Sequence, residues 1–366
     1  PRRSPAEGMT TQAMLGIEGI TVGQYGAISV DASRVDPLAP VLTDIQHDAF
    51  TGFRAFLAAA AERRGAAAVE TVKWQLVGPV TLGMSLRRAG VADHVAFDVA
   101  VRAVRAHVGS LLDAVDAALP GCSQVVFIDE PDMTDLTDAG FPLAPDTAID
   151  LVSGALAAVE QRAVSGLHVC GEADWPSLIA AGPQVLAVPV RASLVTSAGY
   201  LQQFIARGGV VAWGAVRTDG PIAYTVERPW RQLSDLWCQL VERGCDHHLL
   251  RQNSLITPEC GLGTHTPAVV ERIHRITSEL GHRVYDQAIA SGHRAAIAEE
   301  DRAGVFTLRV GNLMPGEVVT IALALSGPVT IDDGEVTWVF PLVVAPRYVP
   351  GAPLPGNMPA VAATDR

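Results

Sequence analysis

Short apolar runs alternate along the chain with longer stretches whose apolar residues recur every three or four positions. The runs at 72–77, 125–128, 166–170, 185–188, 210–213 and 253–256 have the length and Val/Leu/Ile content of strands buried on both faces, as in a parallel sheet covered by helices. Helical periodicity covers 92–117, 145–162, 175–181, 197–206, 228–243 and 267–280. Upstream, the pattern predicts a glycine-bounded strand or hairpin at 19–26. It also predicts a helix at 40–64, where Phe50, Phe53, Phe56 and Leu57 recur at helical spacing.

Polar residues follow directly on the strand ends: Asp129 and Glu130, His168 and Cys170, Arg217 and Thr218, Glu259 and Cys260. That layout predicts an α/β fold of the (β/α)8 TIM-barrel type, in which the active site forms at the C-terminal ends of the strands. No glycine-rich nucleotide fingerprint follows any strand, and a doubly wound sheet is the second reading. Six strands are two short of eight, so the expected barrel lacks its first one or two βα units. After about residue 283 the character changes. A polar amphipathic helix is expected at 285–300, then antiparallel strands at 305–310, 318–324 and 336–344, punctuated by turns at Pro315-Gly316 and Asp332-Asp333-Gly334. The domain scheme is therefore a barrel over 1–282, a small antiparallel β fragment over 283–351 and a disordered tail over 352–366.

Composition narrows the class of function. The net charge of −12 leaves no basic stripe for phosphates and argues against nucleic acid. No apolar run reaches the roughly 18 residues a membrane span needs, and no signal-peptide core follows the N-terminus, so a cytoplasmic protein without membrane contact is expected. Lys73 is the only lysine, which excludes mechanisms needing several. The five cysteines, Cys122, Cys170, Cys238, Cys245 and Cys260, are odd in number and scattered; they read as reduced thiols or metal ligands.

The stretch Gly166-Leu167-His168-Val169-Cys170 places a His and a Cys two apart at a strand end, on one side of the strand. With Cys260 they supply one imidazole and two thiolates, a donor set that zinc uses when a fourth position stays open for substrate. Two satisfied core residues are the competing reading of His168 and Cys170. Asp129-Glu130-Pro131 reads either as a solvated turn or as substrate-facing carboxylates, and Trp74 and Trp213 either as pocket walls or as core. Cys245, His247 and His248 cluster before a strand, on the face opposite the site; Cys122 and Cys238 read as packing residues.

Four ordered motifs, Trp74-Gln75-Leu76-Val77-Gly78-Pro79-Val80-Thr81, Ile128-Asp129-Glu130-Pro131, His168-Val169-Cys170 and Pro258-Glu259-Cys260-Gly261-Leu262, resemble those of the cobalamin-independent methionine synthase catalytic domain. The likeness runs over about residues 20–282. It implies a barrel of the type shared with uroporphyrinogen decarboxylase, a zinc cofactor, and transfer of a methyl group from a methylfolate or methylcorrinoid to a thiol such as homocysteine. It further implies His168, Cys170 and Cys260 as zinc ligands and Asp129 as the carboxylate meeting the amino group of the thiol substrate. Glu130 is implied beside Asp129 in the catalytic motif, and Trp213 is taken as a candidate substrate contact. The chain departs from the family twice. The family's fourth ligand, a Glu, would fall near Val188-Pro189-Val190, where there is no carboxylate, and the Gly-Ser-Leu/Phe-Pro type motif of the first strands has no counterpart. Glu172 and Asp174 are the candidate replacement ligands.

The tail carries a second resemblance. Tyr285-Asp286-Gln287-Ala288, Ala298-Glu299-Glu300-Asp301-Arg302, Val310-Gly311-Asn312-Leu313-Met314-Pro315-Gly316-Glu317 and Ala345-Pro346-Arg347-Tyr348-Val349-Pro350-Gly351 resemble the second half of a VIT (vault protein inter-alpha-trypsin) domain. Half of a β-sandwich exposes strand edges and is expected to pack on the barrel, self-associate by pairing with another chain, or be poorly ordered. The second functional reading is accordingly a degenerate barrel fused to a VIT-like interaction module.

Overall fold

A computed structural model describes residues 5–23, 27–63, 69–290, 295–302, 305–311, 330–332 and 335–337. Two compact units divide the chain, Pro1–Thr320 and Ile321–Arg366. The first opens with helix α1 (Pro5–Met14), which the pattern did not predict, and an antiparallel hairpin whose first strand, β1 (Ile20–Val22), lies in the predicted 19–26 stretch and whose second, β2 (Ile28–Val30), follows it. The helix expected at 40–64 begins only at Thr51. Residues 40–47 are irregular and Asp48–Phe50 is a 3-10 turn, after which α2 runs Thr51–Arg63. Pro40 and the Asp and Thr residues before Asp48 favour turns over helix.

Six parallel strands then form one sheet in sequential order: β3 (Thr71–Val77), β4 (Ser123–Asp129), β5 (Val164–His168), β6 (Val185–Pro189), β7 (Val210–Val216) and β8 (Ser254–Pro258). Helices α3 (Pro79–Arg88), α4 (Asp93–Ala118), α5 (Pro145–Glu160), α6 (Trp175–Ala180), α7 (Ala198–Ala206), α8 (Glu227–Glu242) and α9 (His247–Gln252) connect them, and α10 (Pro267–Ala290) follows the last strand. The sheet curls as a TIM-like half-barrel. It is not the closed barrel that eight strands would make, because β3 and β8 each pair with one neighbour only among the described residues.

Period-two alternation splits each strand between two apolar layers. The convex layer carries the main core: Leu76, Ile128, Leu167, Leu186, Val211 and Trp213 are fully buried under the helices. The concave side holds a smaller cluster of Phe127, Val185, Ala187 and Ala212, flanked by Val125 and Val210. The sheet is thus a trough whose inner face is largely buried, although Leu255, in register with Ala212, remains 49% exposed.

A buried histidine fastens the N-terminal segment to α4. His107 Nε2 lies 3.0 Å from the Ala13 carbonyl, which can only accept, so Nε2 carries the proton and Nδ1 accepts from the Thr43 hydroxyl at 2.7 Å. Burial pushes this imidazole down to about 4, and it stays neutral at physiological pH.

Helix α10 continues ten residues past the predicted end at 280 and runs through 283, where the sequence changes character. The helix expected over 285–300 is in part a strand: β9 (Ala295–Arg302) pairs antiparallel with β10 (Val305–Gly311). In the second unit β11 (Thr330–Asp332) pairs antiparallel with β12 (Glu335–Thr337). The strand expected at 318–324, most of that at 336–344 and the tail at 352–366 lie outside the described residues.

Candidate metal centre

The site is built where β4 and β5 end. Asp129 and His168 are paired in register as the last residues of their strands, so both side chains face the trough. The backbone interlocks there: Gly78 N–H donates to the Asp129 carbonyl at 2.8 Å, and Glu130 N–H to the His168 carbonyl at 2.9 Å. Cys170 lies just beyond β5, with Val169 between it and His168 buried on the other side. Cys260 follows the end of β8. Glu259 N–H donates to the Val216 carbonyl at 2.8 Å, which ties the segment bearing Cys260 to β7.

These elements bring the three predicted ligands together. His168 Nε2 is 2.9 Å from Cys170 Sγ, and Cys170 Sγ is 3.0 Å from Cys260 Sγ. The donor atoms of all three lie within 4.8 Å of one another, a grouping unmatched among the described residues. A tetrahedral zinc with these donors has ligand–ligand edges of about 3.6–3.8 Å, so the His168–Cys170 and Cys170–Cys260 edges would each lengthen by less than about 1 Å to hold one. The nitrogen and two sulfurs fit the ion and leave one position open.

The electrostatics favour a thiolate at Cys260. Its pKa lies below the ordinary thiol range because the Cys170 thiol donates to it and His168 stands beside it, while burial opposes the shift. Cys170 moves the other way, held protonated by that same contact with Cys260. Burial lowers the His168 pKa, but its bond to Cys260 and the charge of Asp129 outweigh burial and raise it.

Asp129 is 3% exposed. Its Oδ2 accepts from Gln75 Nε2 at 2.8 Å, whereas Oδ1 is buried with no hydrogen-bond partner. Burial pushes this carboxyl up to about 6 against the pull of His168 and Lys73. A buried acceptor without a partner is costly and invites a donor from a ligand.

Glu130 is fully buried and faces away from the trough. Its carboxylate accepts from the Val80 and Thr81 amides, at 2.9 and 2.7 Å, at the start of α3. Those amides are free because they open a helix, with Pro79 occupying the first position. Gly78 is required here: a Cβ on it would come within 2.2 Å of Glu130 Oε1. The Gly78-Pro79 and Asp129-Glu130-Pro131 motifs are therefore two halves of one joint.

Trp213 is not brought to the site. It is fully buried on the convex side, 6.1 Å from Trp237 in edge-to-face geometry, and its Nε1 donates to Ser254 Oγ at 2.7 Å. Trp74 is likewise core, packed on Phe53 and bonded to Gln124. Among the described residues no carboxylate joins the three donors. Pro189 is buried in β6, Glu172 accepts from Ser193, Asp174 accepts from Ser177, and neither joins the donor group. Cys245 is buried with its thiol toward the Ala198 carbonyl, and His247 and His248 stack on each other in α9, before β8 begins.

Three participants escape motif reasoning. Arg191 forms a 2.6 Å ion pair with Glu259, next to Cys260, and burial raises the Glu259 pKa against that pairing. Lys73 and Gln75 stand on the trough side of β3, and the signal is their alternation with buried Val72, Trp74 and Leu76. Crowding by protein lowers the Lys73 pKa while the charges of Asp129 and Cys260 raise it. Burial wins, and the net shift is downward.

Comparison with known proteins matches two parts of the chain. Residues 277–325 match the vault protein inter-alpha-trypsin domain family. The von Willebrand factor A domain-containing protein 5A of Rattus norvegicus is 37% identical over 70 residues, covering 18% of this chain and 8% of that protein. Its Mus musculus counterpart is 36% identical over 70 residues, covering 18% and 9%. The chain thus spans less than a tenth of these relatives. Among solved structures, a "Putative Vitamin-B12 Independent Methionine Synthase" from Listeria monocytogenes aligns over 59% of this chain and 63% of its own, with 14% identity and a TM-score of 0.41. No helix among the described residues is long and apolar enough to cross a membrane.

Proposed function

We propose that the trough binds a small thiol at a zinc ion held by His168, Cys170 and Cys260, and that it methylates the thiol sulfur. The observation that carries this reading is the convergence of the three donors, two of them ninety residues apart in sequence, on one strand-end cluster. The motif resemblance supports homocysteine or a relative as acceptor and a methylfolate or methylcorrinoid as donor. When bound, zinc would supply Lewis-acid chemistry that lowers the pKa of the incoming thiol.

The chain's own residues do the rest. Asp129 Oδ1 accepts from the ammonium of an amino-acid thiol, Gln75 holds Asp129 in place, and Glu130 locks the start of α3 against the β4 end. The sulfur–methyl bond forms as the methyl group's bond to the donor breaks, and its electron pair stays with the donor. For such an in-line displacement, positioning supplies much of the rate.

Metal analysis tests the proposal. The purified chain is expected to carry one zinc equivalent, and Cys260→Ser to lose it with an unchanged circular dichroism spectrum. Zinc well below one equivalent after loading, or full retention by the variant, rejects the site. The first result would favour a second reading, a degenerate half-barrel joined to a VIT-type interaction module. Pro189 in place of a ligand and the domain match at 277–325 support that alternative.

A further inference from the structure

Lys73 is the only lysine in 366 residues, every other strong base being arginine. The fold puts it in the trough. Its Nζ contacts the side-chain oxygen of Gln75 and stands 4.9 Å from the centroid of the Phe127 ring. Gln75 in turn donates to Asp129 Oδ2, so a single amide group separates the Lys73 cation from the Asp129 carboxylate. That carboxylate keeps its buried Oδ1 without a partner, and Lys73 forms no ion pair with any described residue.

A cation with donors to spare and an anion with an orphan acceptor, one amide apart, match the head group of an α-amino acid. An ammonium satisfies Asp129 and a carboxylate satisfies the lysine, each through a charge-assisted hydrogen bond. The third feature, the nitrogen–sulfur donor cluster, addresses a thiol. A lysine suits the place because its compact charge on a slender stem fits between Phe127 and Gln75, where a planar guanidinium would need more room.

We propose that Lys73 binds the α-carboxylate of the ligand, which makes the site selective for an amino-acid thiol over a simple thiol or an aminothiol. This inference rests on the thiol-binding reading above. Lys73 is a specificity-determining residue, and its role is distinct from that of the donor cluster.

Calorimetric titration of the zinc-loaded full chain with homocysteine, its decarboxylated analogue and its deaminated analogue tests it. In the wild type, homocysteine is expected to bind about tenfold more tightly than the decarboxylated analogue, the worth of one charge-assisted hydrogen bond open to water. Lys73→Met should remove that preference. It should weaken homocysteine and the deaminated analogue alike, leave the decarboxylated analogue unchanged, and be rescued in part by Lys73→Arg. Equal wild-type affinity for homocysteine and the decarboxylated analogue overturns the assignment without any variant, and so does an equal loss on all three ligands in Lys73→Met. In both cases thiol binding itself would stand. Failure of the wild type to bind any of the three thiols overturns the thiol-binding reading and this inference with it.

Discussion

Glu130 shows how a single structural side chain can anchor the strand end that carries a site residue. It takes two backbone amides of α3 and so ties the chain one residue after Asp129 to the start of that helix. Burial pushes its pKa up to about 7 from an unfolded value of 4.5, so the folded state holds the proton more tightly than the unfolded chain does. Between those values the folded state carries more protons, and stability therefore falls as pH rises through that window, by up to about 3 kcal/mol. Glu130→Gln cannot titrate and should flatten the upper part of this window, above about 6, while Asp129, itself pushed up to about 6, keeps a slope below it. The check is urea unfolding of both proteins at several pH values between 4.5 and 7. A wild-type slope above about 6 that survives in the variant would assign the effect elsewhere. This joint was half legible in the sequence. Gly78-Pro79 and Asp129-Glu130-Pro131 stand out as motifs, but that a Cβ at Gly78 would collide with Glu130 follows only from the packing of β3 against β4.

At the scale of elements, strand alternation decides which residues belong to the site. Trp213 sits between Ala212 and Gly214 in β7, and its indole goes to the helix side against Trp237. The apolar run read from the sequence ends on it, which made it a candidate pocket residue, but β7 continues to Val216 and leaves it mid-strand. The alternation that would have excluded it becomes readable only once the face carrying His168 is known. Trp213→Phe removes the bond to Ser254 and leaves a void in a fully buried position. A loss of about 1–3 kcal/mol is expected, read as a lower thermal midpoint, with zinc stoichiometry unchanged. A loss of zinc at unchanged stability would return Trp213 to the site. The same alternation exposes Lys73 and Gln75 as polar intrusions on the trough side of an otherwise apolar strand.

For the molecule as a whole, the six-stranded sheet is covered on its convex side by helices, and among the described residues its outer strands β3 and β8 each keep one edge unpaired. Helix α10 is part of that cover. Ile273, Ile276 and Leu280 are fully buried, and the helix packs on β7 and β8. Because α10 runs unbroken to Ala290, a cut at 283 severs a helix, whereas a chain ending at Ala290 keeps it whole. That truncated chain should unfold cooperatively and bind one zinc, while a chain ending at Thr266 should expose the apolar surface of β7 and β8 and aggregate. Light scattering and metal content of the two truncations check this. Loss of the metal site in the longer truncation would show that residues beyond 290 support the sheet.

The sequence by itself determined the order of elements from β3 to β8, the parallel character of the sheet and the identity of the strand-end residues. These depend on local periodicity and on short motifs, which survive in one dimension. It also singled out His168, Cys170 and Cys260. Only the tertiary structure decided that their donor atoms meet within 4.8 Å, that Asp129 keeps one oxygen without a partner and that Lys73 shares the trough. It also decided that Trp213 faces away and that six strands curl without closing. Those facts depend on which faces and edges come together across long sequence separations. The pleat, register and curl of neighbouring strands set them, and no single stretch of residues encodes that arrangement.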